Sequence, residues 1–103
     1  MPRGVPSGSF DDCLRALGHG RRREVVTTLS DADAPLSVRA LAGGDEQCRL
    51  ALVHNHLPML ADGGYVDWDR DAGRVRRGPR FDEVAALLDL LRTHGDELPW
   101  TVV

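Results

Sequence analysis

Gln47, His54 and Asn55 are the side chains in this sequence whose types and spacing best suit hydrogen bonding to the edges of bases. Glutamine and asparagine can each bond an adenine edge in bidentate fashion, and the small Ala51 between them allows close approach or meets a thymine methyl. Arg49 lies in the same run, nearer the expected buried stripe, and can swing out to a phosphate. A second group, Arg70, Arg74, Arg76 and Arg77, flanks a turn. Guanidinium forks suit phosphates and narrow minor grooves. Asp67, Asp69 and Asp71 share that segment, so the alternative is a solvated hairpin whose charge is neutralised locally. A third group, Arg21, Arg22 and Arg23, opens a helix, where positive charge is mildly unfavourable for the dipole. Contact with a nucleic-acid backbone and a salt-bridge role are both open for it. His56 is expected to be a partly buried histidine that locks its helix to its neighbours.

Other chemistries find little support. There is no Gly-rich phosphate loop, no G-x-S-x-G and no H-E-x-x-H, so no enzyme and no cofactor is expected. The two cysteines, Cys13 and Cys48, are far apart and form no C-x-x-C pair, which leaves no zinc site to build from them. Both are expected as reduced thiols on helices. No stretch approaches the roughly 20 apolar residues of a membrane span. Met1 to Ser9 has no apolar core of a secretory signal, so the expected location is the cytoplasm.

The 103 residues amount to one domain. All 13 basic residues are arginine, and the composition is rich in aspartate, as in a high-GC or salt-adapted source. A net charge of −3 is unusual for a DNA binder, but its distribution is uneven. Met1 to Arg80 holds 12 arginines against 11 acids, a net of +1, whereas Phe81 to Val103 holds one against five, a net of −4.

The elements that must position these side chains follow from pattern. Residues 1–8 read as a flexible arm. Ser9 can cap a first helix carrying Phe10, Leu14 and Leu17 at helical spacing. Gly18 to Gly20 ends it, and a second helix over Arg21 to Leu29 buries Val25, Val26 and Leu29. Ser37 caps a short third helix with Val38, Leu41 and Ala42 inward, and Gly43-Gly44 closes it. A longer helix over Glu46 to Ala61 follows. Leu50, Val53, Leu57 and Leu60 form its buried stripe, with Cys48, Ala51 and Asn55 opposite. Pro58 should bend this helix or tighten its last turn. Tyr65 to Asp69 alternates as a strand, Arg70 to Gly73 turns, and Arg74 to Arg77 returns. A last helix spans Phe81 to Thr93.

A short capped helix, a glycine turn, a longer helix and a two-stranded ribbon is the order of a winged helix-turn-helix. The segment Val53 to Asp69, with its pattern H-L-x-x-L-x-x-x-G-x-V, resembles the recognition helix and first wing strand of ArsR-like regulators. The H-L-P-x-L variant, Arg21-Arg22-Arg23 after L-G-H-G, and the wing pattern D-x-D-R-x-x-G-x-V resemble an uncharacterised haloarchaeal group of such domains. The resemblance covers about Phe10 to Val75. It implies a DNA-binding transcriptional regulator. It does not imply metal sensing, because the cysteine pair is missing and His94 with Glu97 make only half of a last-helix site.

The expected architecture is therefore mainly α with a two- to three-stranded wing. Residues 9–80 form the winged helix-turn-helix, and 81–103 a C-terminal helix and tail. The expected partner is double-stranded DNA. The last helix is more apolar than one small core needs, so Leu87, Leu90 or Leu91 is expected to pack on a second copy, with Leu14 and Leu17 or with Trp100. Alternatively, Trp100 and the tail cover that face within one chain. The competing functional reading is a winged helix that binds another protein and no DNA.

Overall fold

The computed structural model describes residues 7–94. Helix α1 (Ser7–Ala16) is followed by α2 (Gly20–Asp31), strand β1 (Leu36–Ser37) and the short α3 (Val38–Ala42). A composite helix comes next: α4 (Glu46–Ala51), a π-helical segment (Leu52–His56) and α5 (Leu57–Asp62). Strands β2 (Val66–Asp69) and β3 (Arg74–Arg77) form a hairpin, and α6 (Phe81–Thr93) closes the described chain. The sheet is antiparallel in the order β1-β3-β2, with Leu36 opposite Val75 and Trp68 opposite Val75 on its other side. The result is a mainly α domain with a small three-stranded sheet, an arrangement compatible with a winged helix. Among the described residues, no helix is long and apolar enough to cross a membrane.

Local chemistry sets most boundaries. The Ser37 hydroxyl accepts from Ala40 N at 2.9 Å, and the Asp45 carboxylate accepts from Gln47 N at 3.0 Å, each satisfying a free donor at a helix start. Between them Gly43 and Gly44 take φ of 64° and 82°, which only glycine adopts without strain. His19 caps α2 through Nδ1, which accepts from Arg21 N. One core joins all the helices and the sheet. It contains Val25, Val26 and Leu29 of α2, Val66 and Val75 of the hairpin, and Phe81, Val84 and Leu88 of α6. The last helix thus belongs to the same packing unit as the helices before it.

Four expectations need correction. Helix α1 starts at Ser7, so Ser7 and Gly8 of the expected arm belong to it and Ser9 lies inside the helix, while the rest of that arm lies outside the described residues. Its buried side is Cys13 and Ala16, followed by Leu17, while Phe10 and Leu14 are exposed. Leu36 and Ser37 form an edge strand on β3 rather than the start of a helix. In the composite helix, Leu50 is 41% exposed and Val53 half-buried, whereas Cys48, expected on the outer face, is buried with Leu52.

The π segment is the reason for this last difference. Leu57 N donates to Leu52 O, five residues back, so one turn holds an extra residue. The buried line runs from Cys48 to Leu52 and then to Leu57 and Leu60. An unbroken α-helix would not align those positions. Pro58 brings no amide donor just where the wide turn ends.

Candidate nucleic-acid interface

The widened turn decides which side chains of the composite helix face outward. Gln47, Leu50, His54 and Asn55 are exposed, and Ala51 and Val53 are half-buried beside them. Arg49 is held by Glu46 through two bonds, Nε to Oε1 at 2.9 Å and Nη2 to Oε2 at 2.7 Å. These bonds raise the guanidinium above its ordinary pKa and lower the Glu46 carboxyl below its own.

The hairpin sorts its charges by strand alternation. Val66 and Val75 are buried and Trp68 half-buried, while Asp67, Asp69, Arg74 and Arg76 are exposed. Asp67 lies opposite Arg76 and Asp69 opposite Arg74. No ion pair within 4.0 Å joins them among the described residues. Directly opposed charges still offset each other at cross-strand distances. The outer face of the hairpin is therefore close to neutral.

Two of the arginines expected at the DNA have their donors engaged within the fold. Arg77 turns back to the end of α2, where Nε donates to Leu29 O and Nη2 to Ser30 O and Ala32 O at 2.8–2.9 Å. Its guanidinium also lies 5.6 Å from the Phe81 ring. Arg22 closes the end of α1 by donating to Ala16 O and Arg15 O, and Nη1 donates to His56 Nδ1 at 3.1 Å. Helix ends leave carbonyls without partners, and a five-donor cation suits them. Arg21 is paired with Glu24 at 3.1 Å. The alternation that buries Val75 also sends Arg77 inward, so that signal was present in the sequence.

His56 behaves as expected of a packed histidine. It is 3% exposed, and its ring centroid lies 4.4 Å from that of His19. Since Arg22 can only donate, Nδ1 must accept, which keeps the ring neutral. Burial first, and then the charges of His19, Arg22 and Arg21, hold its pKa below the ordinary value.

A cleft of about 520 Å³ opens where β1, α3, the composite helix and the hairpin meet. Arg39, Arg49 and Arg70 line it, with Ser37, Val53 and Trp68. No acid is among its lining residues. The Arg70 guanidinium lies 4.4 Å over the Trp68 ring. Arg39 was not singled out in the sequence, because nothing local distinguishes an exposed arginine in a five-residue helix. Only the tertiary fold brings it to Arg49 and Arg70.

Both cysteines are free and buried. Among the described residues, no three His, Cys, Asp or Glu side chains gather where they could hold a metal ion. Glu97 and Trp100 lie outside the described residues. No known protein family, curated protein or solved structure matches the chain.

Proposed function

We propose that this chain is a winged helix-turn-helix regulator that binds double-stranded DNA and does no catalysis. In this reading α3 and the composite helix are the helix-turn-helix pair, and β2–β3 is the wing. The observation that carries it is the exposed face with Gln47, His54 and Asn55, set near an acid-free cleft lined by arginines. A helix of this kind fits the major groove, where base edges are distinct. The resemblance to ArsR-like regulators points the same way.

Assembly is part of the proposal. Helices α1 and α6 pack on each other, and both leave large apolar side chains exposed: Phe10 and Leu14 on one, Leu90 on the other. Leu87 and Leu91 are half-buried against the core, and Leu17 is fully committed to it. We assign Leu90, with Leu87 and Leu91 at its side, to contact with a second copy. A two-fold dimer would set two reading helices about one DNA turn apart on a palindromic site.

Fluorescence anisotropy with a labelled pool of random duplexes, followed by selection of the bound fraction, tests the DNA reading. Binding with a selected motif is expected. Asn55→Ala should cost about 1–3 kcal/mol and relax preference at one base pair. A folded protein that binds no duplex even in dilute salt would leave the protein-interaction reading standing. Light scattering tests the dimer, and Leu90→Asp should yield monomers with weaker DNA binding.

A further inference from the structure

We infer that the cleft between α3, the composite helix and the hairpin seats a backbone phosphodiester of the bound DNA, gripped by Arg39 and Arg70 with Arg49 alongside. The inference deepens the DNA-binding reading and rests on it. It moves the main phosphate contact from the outer face of the wing, where the strand pattern points, to the hollow beneath its turn.

The cleft owes its positive character to Arg39 and Arg70: no acid is among its lining residues, and Asp45 and Glu46 line the adjoining hollow on the other side of Arg39 and Arg49. Arg39 is exposed and has no ion-pair or hydrogen-bond partner among the described residues. Arg70 has only its position over Trp68, and an exposed cation–π contact is weak compared with a charge-assisted bond to a phosphate oxygen. Arg49 keeps Glu46 as its partner, so its charge is largely offset and it forms a wall of the cleft rather than a free cation. Ser37 Oγ accepts from Ala40 N, which leaves its hydroxyl hydrogen to donate. By contrast, Arg74 and Arg76 each face an aspartate across the hairpin.

The walls are also tied together. Val38 N donates to Gly73 O at 2.9 Å, and Ser37 pairs with Arg74. These bonds anchor the start of α3 to the wing turn, so the arginines on either side keep their spacing before any anion arrives. Val53 and Trp68 supply apolar lining beside the two exposed guanidiniums.

The test uses Trp68 as the reporter in the full chain carrying Trp100→Phe, since these are the two tryptophans. Duplex DNA should change Trp68 emission as Arg70 leaves the ring, and inorganic phosphate at equal ionic strength should not. Arg39→Ala and Arg70→Ala should each weaken binding about tenfold near 0.1 M salt and lower the salt slope by about one, for all sequences alike. Thermal unfolding of both variants should match the parent, and Arg15→Ala on α1 should bind like the parent. If both cleft variants bind DNA with parental affinity and slope, the cleft is not the phosphate seat, although the DNA reading survives. An emission change with inorganic phosphate but not with DNA would reassign the cleft to a free anion. A parent that binds no duplex removes both inferences together.

Discussion

Arginine has opposite surroundings in two regions of this molecule. At the helix ends, Arg22, Arg23, Arg77 and Arg80 direct their donors at main-chain carbonyls. Arg22 and Arg23 close α1, Arg77 closes α2, and Arg80 bonds Gly63 O at 3.0 Å after α5 while its other donors hold Glu83. Around the cleft, Arg39 and Arg70 have no acid or carbonyl bonded to them among the described residues. The side chain is the same in both places. What differs is whether the backbone places it over a helix C-terminus, where unpaired carbonyls and the negative end of the dipole attract a cation. An arginine count therefore says little about DNA affinity until the capping arginines are set aside.

Arg77→Ala should give the largest effect on stability. It removes three charge-assisted bonds to carbonyls at the end of α2, and a loss of about 2–3 kcal/mol is expected in urea denaturation. The affinity of the folded variant for DNA should stay at the parental level. A loss of affinity with unchanged stability would break the division between capping and contacting arginines.

The Arg22–His56 contact sharpens the comparison through pH. His56 has a folded-state pKa lowered from 6.5, so below 6.5 the unfolded chain binds more protons than the folded one. Its contribution is a stability that rises with pH up to that point and is lost as pH falls through 6.5 toward the folded value. The difference in urea midpoint between mildly acidic and neutral buffer should be smaller in His56→Gln than in the parent. Equal differences would mean that the Arg22 cap tolerates a charged imidazole.

The smallest effect is expected on the outer face of the wing. Because Asp67 lies opposite it, Arg76→Ala should weaken DNA binding by only about twofold, well below the loss expected from a full phosphate contact. Asp67→Asn should strengthen binding. A tenfold loss in Arg76→Ala would place phosphates on the outer face and bring that face level with the cleft.

Much of the framework was legible in the sequence because its causes are local. Ser37, Gly43 and Gly44 mark the ends of α3 through their own side-chain or φ preferences. Alternation and turn residues mark the hairpin, and α6 has the expected bounds of Phe81–Thr93. Residue type also separated Gln47, His54 and Asn55 from the core. What the tertiary structure alone decided was phase and company. The π turn rotated the composite helix so that Leu50 is exposed and Cys48 buried, because its first half must pack through Cys48 and Leu52 before Pro58. Packing also brought Arg77 within reach of Leu29 O and gathered Arg39, Arg49 and Arg70 around one cleft. These contacts join residues far apart in the chain. Their energies depend on which surfaces meet; a helical or strand period gives the face a side chain lies on, as for Arg77, and not the partner it finds there.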